Sequence, residues 1–279
     1  MVEEALVQPL SQEGSGVRFD WGPTAAGLLS RRTGAVVVVD VLSFTTSVSI
    51  ATGRGTAIVP YPLGGDGARE LASRLGAALA VRRREQSPDH PWSLSPGALL
   101  VAPPTPRLVL PSPNGSAIAA MLGAASGTGD GDAPGGGPVV VAGCLRNVTA
   151  TVTWLLARGY GTEARPVLLV GAGERWPDGS LRPALEDQLG AGAIAEALQR
   201  AGCRLSVEAQ TAARTFAGMA DLAATIGGCA SGQELASMGF PDEAGHAAAL
   251  DADAHASVME ADMFVGVWLG DRAVTPRFG

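Results

Sequence analysis

The chain has 279 residues, with 20 positive charges against 27 negative ones, and every positive side chain is an arginine. The absence of lysine excludes the GK[ST] phosphate loop, Schiff-base and pyridoxal phosphate chemistry and the protein-kinase strand lysine. A net charge of −7 argues against a general nucleic-acid binder. No apolar run approaches the ~20 residues that span a bilayer, so no membrane partner is expected.

The first ten residues, MVEEALVQPL, lack the basic and apolar regions of a signal peptide. Cys144, Cys203 and Cys229 are too widely spaced for a metal knuckle. They read as reduced thiols, and the expected compartment is the cytoplasm. Aromatic residues make up only 5%, so the core must be built from Val, Leu, Ile and Ala. In chain order, strands are expected at 35–40 (AVVVVD), 56–60 (TAIVP), 107–110 (RLVL), 138–142 (PVVVA) and 166–170 (PVLLV). Such unbroken apolar runs mark strands covered on both faces. Helices are expected near 43–53, 66–76, 114–123, 147–159, 184–200, 211–227 and 242–250, with a further strand at 203–208 (CRLSVE). This alternation predicts a single-domain α/β protein: a three-layer α/β/α sandwich with a largely parallel, mixed central sheet. Residues 123–138 hold seven glycines in 16 positions and read as a flexible surface loop. His90, His246 and His255 show no ligand spacing and read as surface residues.

Four of the strands run directly into small and polar residues that open a helix: Asp40 to Thr46, Pro111 to Ser116, Gly143 to Asn147, and Gly171 to Arg175. In open α/β sheets, ligands bind outside the carboxyl ends of strands. If the strands are parallel, these segments share one edge and form one site. Asp40 ends a buried run, where a lone carboxylate is costly unless it holds a cation, caps a helix or pairs with an arginine. Asn114, Gly115 and Ser116 form a tight turn into a helix, whose free N–H groups and dipole favour phosphate. Arg146 and Asn147 repeat that design with a guanidinium that can grip an anion. Glu174 again follows a buried strand; Trp176 breaks the dinucleotide GxGxxG pattern there. Asp187, with Glu186, opens an Ala-rich helix, either for dipole reasons or as a further oxygen ligand. Asp40, Glu174 and Asp187 together suit a hard ion such as magnesium. Cys144, near an arginine and a helix start, is an alternative nucleophile.

The stretches VVVVDVLSFTTSVSIATGRG, SPNGSAIAAML, VVVAGCLRNVTATVTWL and LLVGAGERWPDGSLRPALEDQLGAGAIAEAL resemble, in order, the 2-phosphosulfolactate phosphatases (ComB-like proteins). The resemblance spans most of residues 35–252. It implies an α/β/α fold and a Mg²⁺-dependent phosphatase acting on a phosphate ester of a 2-hydroxy acid, best known in coenzyme M synthesis. On that reading Asp40, Glu174 and Asp187 hold the metal. Thr45, Thr46, Asn114, Gly115, Ser116, Arg146 and Asn147 cradle the phosphate, with Asp40, Arg146 and Glu174 as the catalytic residues. The partner is a small anionic phosphate ester, and a homodimer is compatible with the composition. One departure matters. The family reads DVLR where this chain has Ser43, losing an arginine that serine cannot replace. A phosphotransferase and a non-catalytic anion-binding protein are the competing readings.

Overall fold

The computed structural model describes residues 9–63, 67–126 and 137–268. Strands β1 (Val17–Trp21), β2 (Ala35–Val39), β3 (Ala57–Pro62), β4 (Ala78–Leu79), β5 (Arg107–Ser112), β6 (Val139–Gly143) and β7 (Val167–Gly171) are followed by a small two-stranded pair, β8 (Glu174–Arg175) and β9 (Leu181–Arg182). A closing hairpin consists of β10 (His255–Glu260) and β11 (Met263–Trp268). Nine of these strands form one sheet in the order β1-β7-β2-β6-β10-β11-β3-β5-β4.

The sheet is mixed, as expected, but its mixing has a particular form. β1, β7, β2 and β6 are mutually parallel, and β3, β5 and β4 form a second parallel block. The antiparallel hairpin β10–β11 lies between the blocks and pairs antiparallel with each. The second block therefore runs opposite to the first, and a single residue pair, Phe264 with Ile58, joins it to the hairpin.

Helices cover both faces. Alternate residues of β2 show why its sequence is an unbroken apolar run. Val36 and Val38 enter one core, with Phe44 and Val48 of α2 (Phe44–Gly53) and Ile118 and Leu122 of α5 (Gly115–Ser126). Val37 and Val39 enter the other, with Val152 and Leu155 of α6 (Val148–Ala157) and Leu189 and Ile194 of α7 (Leu185–Arg200). A strand buried on both sides has no polar alternation to show. The remaining helices are α1 (Gly22–Leu29), α3 (Gly67–Leu75), α4 (Pro96–Val101), α8 (Val207–Ala217), α9 (Leu222–Gly228), α10 (Ala230–Ser237) and α11 (Glu243–Ala247).

Some expected elements differ. The strand at 203–208 is not formed; Leu205 makes only an isolated bridge to Val17, and Ser206 caps α8 instead. The helix expected over 211–227 is broken between Ala217 and Leu222. Residues 123–126 of the expected glycine-rich loop still belong to α5, and 127–136 lie outside the described residues. His255 is not a surface residue. It is buried in β10, where Nε2 donates to the Ser49 carbonyl at 3.0 Å, and burial lowers its pKa. No described helix is long and apolar enough to cross a membrane.

Candidate functional site

The site grows from the turn after β2. Asp40 is 5% exposed. Its Oδ2 accepts from Gly115 N–H at 2.7 Å, and its Oδ1 from Phe44 N–H at 3.3 Å. Gly115 opens α5, which follows β5 of the opposite block, so the two blocks meet at this carboxylate. Gly115 leaves no room for a side chain: a Cβ there would lie 2.5 Å from Asp40 Oδ2 and 2.7 Å from Phe44 Cδ1. The neighbouring Asn114 donates from Nδ2 to Glu174 Oε2 at 2.9 Å. One tight turn thereby fixes two acids.

Asp187, in the first turn of α7, joins the turn after β2 to the turn after β7. Its Oδ1 accepts from Val41 N–H and its Oδ2 from Gly173 N–H, both at 2.8 Å. Glu186 beside it is buried and accepts from the Cys229 thiol at 3.3 Å.

Electrostatics mark the cluster. Burial, with repulsion from Glu186, pushes Asp40 up to about 6 against the opposing pull of the Gly115 and Phe44 amides. Burial and the Asp40 charge push Glu174 up to about 7. Asp187 is raised well above the ordinary range by burial, then by Asp40 and Glu186. Carboxylates crowded out of water disfavour simultaneous ionisation, a state that a cation relieves.

The cation within reach was not legible as one. Arg83 belongs to a short 3₁₀ turn, Arg83–Glu85, that follows edge strand β4. Its Nη2 donates to Ser43 Oγ, and its charge is felt by Asp40. Burial lowers its pKa, opposed by the carboxylates of Glu243, Asp40 and Glu174. Its Nε is buried without a hydrogen-bond partner among the described residues, as is Glu243 Oε2. A guanidinium from a separate segment thus lies against Ser43. The three-arginine run at 82–84 was a signal, but nothing in the sequence says that it folds onto the β2 turn.

The other expected site residues have different employment. Arg146 points its fork at Asp253, with Nε and Nη2 each 2.9 Å from a carboxylate oxygen, and Nη1 reaches the His246 carbonyl at 3.0 Å. That bidentate pair leaves no guanidinium nitrogen uncommitted, and none of its bonds runs to Asp40, Glu174 or Asp187. Asn147 is fully buried; its amide bonds Cys144 N–H and the Ala142 carbonyl. The hydroxyls of Thr45, Thr46 and Ser116 donate to the carbonyls of Asp40, Val41 and Tyr61. These five side chains shape the turns from within, and the cradle expected of them is not presented to a ligand. Gly115 N–H is likewise taken by Asp40. The Cys144 alternative is corrected too. The thiol is fully buried, and burial with the Asp253 charge pushes it up to about 11, the reverse of a reactive thiolate.

Asp40, Asn114, Gly115, Glu174 and Asp187 therefore converge, with Glu186 and Arg83 added. Among the described residues no three His, Cys, Asp or Glu side chains form a metal-holding group. Asp187 has both oxygens on backbone amides. Asp40 also has an amide on each oxygen, but the bond from Phe44 is long at 3.3 Å, and Glu174 has one oxygen on Asn114. These two keep the most acceptor capacity, and one or two carboxylates with water and substrate oxygens are the usual protein share of a magnesium site. The donor set fits that ion on those two residues.

Fold and site together define an α/β protein with an acidic, arginine-flanked centre at the ends of its strands. Residues 111–261 match the family model of 2-phosphosulpholactate phosphatase. The chain belongs to that family. The matched span contains Asn114, Gly115, Glu174 and Asp187; Asp40 and Arg83 lie before it. A search of curated proteins found no match.

Proposed function

We propose that the chain is a Mg²⁺-dependent phosphomonoesterase that hydrolyses phosphate monoesters of 2-hydroxy acids, the 2-phosphosulfolactate reaction being the family's own. The observation that carries this reading is the buried Asp40 and the partly buried Glu174 within reach of the Arg83 charge: two acids poised for a cation beside one guanidinium poised for an anion. Asp40 and Glu174 would hold magnesium, which when bound supplies positive charge against the phosphoryl oxygens.

The chain's own residues do the rest. The amides of Phe44 and Gly115 hold the Asp40 carboxylate in one orientation. Asn114 holds Glu174. Asp187 locks the two turns that carry them. Arg83 grips phosphoryl oxygens and stabilises the charge that accumulates on them in the transition state. Ser43 orients that guanidinium. Such preorganised groups cost no reorganisation when the phosphoryl group transfers.

The non-catalytic reading rested on Ser43, and Arg83 returns a fixed positive charge to that position, so hydrolysis is favoured. The test is free-phosphate release with and without Mg²⁺. Asp40→Asn is expected to abolish Mg²⁺-dependent hydrolysis while its circular dichroism stays that of the wild type. Wild-type turnover in that variant refutes the role given to Asp40. Release of phosphate only when an acceptor is added points to a transferase instead.

A further inference from the structure

A cavity of about 870 Å³ adjoins the site on the Arg83 side, without being lined by Asp40, Glu174 or Asp187 themselves. It touches the site at two points: Arg83 lines it, and so does Pro113, the residue before the Asn114 that holds Glu174. Its remaining wall has two characters. Tyr61 of β3, Leu94 and Phe240 give it apolar and aromatic surface, while Arg69, Arg82 and Arg84 add three more guanidinium groups to that of Arg83, against the single carboxylate of Glu85.

Pockets of roughly 300–1,000 Å³ enclose drug-sized ligands, with an apolar lining and a few placed polar groups. A three-carbon phosphate ester that reaches Arg83 leaves most of this volume unfilled and touches little of Tyr61, Leu94 or Phe240. A wall of this kind discriminates by what is attached to the ester, because burying apolar surface is favourable in proportion to its area.

We infer that the substrate of this site is a phosphate monoester that carries a second acidic group and a ring-sized or longer apolar body. The phosphate lies at the carboxylates, the body lies against Tyr61, Leu94 and Phe240, and the second acid is balanced by Arg69 or Arg82. This rests on the phosphatase reading for the reaction, but the cavity can be tested apart from it.

The experiment compares 2-phospho-3-phenyllactate with 2-phospholactate on the full-length wild type and on Phe240→Ala. Phosphate release is measured with Mg²⁺, and binding of both esters by calorimetry without it. The phenyl ester is expected to show a kcat/KM higher by about tenfold or more, and its advantage over the small ester to shrink by roughly fivefold or more in Phe240→Ala. Equal or better use of 2-phospholactate overturns the cavity inference and leaves the phosphatase reading standing. If neither ester is hydrolysed but the phenyl ester binds more tightly and loses that advantage in Phe240→Ala, the cavity inference holds and the phosphatase reading falls. Neither binding nor hydrolysis of either ester overturns both.

Discussion

Gly115→Ala alters no titratable or polar side chain, yet it strikes the contact on which the proposed site depends. The added methyl group would meet Asp40 Oδ2 at 2.5 Å, Asp40 Cβ at 2.7 Å and Phe44 Cδ1 at 2.7 Å. None of these atoms can step aside. Phe44 is fully buried and Asp40 is held from both sides. The start of α5 must retreat instead, and the 2.7 Å bond from Gly115 N–H to Asp40 Oδ2 lengthens. Overpacking of a tight interior costs about 1–3 kcal/mol. Alanine's better helix propensity returns at most about 1 kcal/mol of that. At about 2–4 °C per kcal/mol for a chain of this size class, the melting temperature should fall by several degrees. The lost bond ends on a carboxylate, and such bonds contribute roughly 1.5–3 kcal/mol. If that preorganisation is expressed in the transition state, kcat falls by roughly 10- to 100-fold. The assay is Mg²⁺-dependent phosphate release beside a thermal melt. Gly245→Ala serves as control, because a Cβ there meets nothing within 4 Å. If Gly115→Ala matches wild type in both melting temperature and turnover, the contact does not organise the site and the reasoning is refuted.

Asp187→Asn replaces one acceptor with an NH₂ group facing either Val41 N–H or Gly173 N–H, so a loss of about 1–3 kcal/mol is expected by chemical denaturation; an unchanged unfolding midpoint would show that the clamp is dispensable. Native thiol labelling should modify Cys203 and spare Cys144 and Cys229, since the latter two are buried and pushed up to about 11; rapid alkylation of Cys144 would contradict its burial. Glu174 has a folded value of about 7 against an ordinary 4.5. The folded state therefore holds this proton more tightly, and the stabilisation is complete below the unfolded value and is lost as pH rises through 7. Without metal, Glu174→Gln should flatten the fall in melting temperature between pH 5 and pH 8; a slope equal to that of wild type would remove Glu174 from the acid cluster.

Much of this was readable in advance for an identifiable reason. Asp40 and Glu174 follow strands buried on both faces, and a carboxylate in that place is conspicuous because burial penalises it. Asn114 and Gly115 carry the composition of a tight turn. Arg146 shows where this kind of reading stops. Its local sequence has the features of an anion site, but its partner Asp253 lies 107 residues farther on, and a local pattern carries no trace of it. Arg83 fails in the opposite direction: it stands in an unremarkable polar run and gains its meaning from the distant β2 turn. The hairpin β10–β11 was missed because its short runs lie after a long helical stretch, where a parallel α/β pattern predicts no antiparallel pair. His255 went with it.

That hairpin also sets an order of events. Residues 255–268 come after every other described strand, yet they pair between β6 and β3, at the seam of the sheet. Until they exist, the two parallel blocks share no ladder, and β6 and β3 each present an unpaired edge of the kind that recruits other chains. Asp40 belongs to one block, and the amide of Gly115 that orients it follows a strand of the other. The proposed centre is therefore finished late on a growing chain. Contacts spanning such sequence distances make closure slow, and a partly made molecule carries its acids without the seam that brings them to their donors.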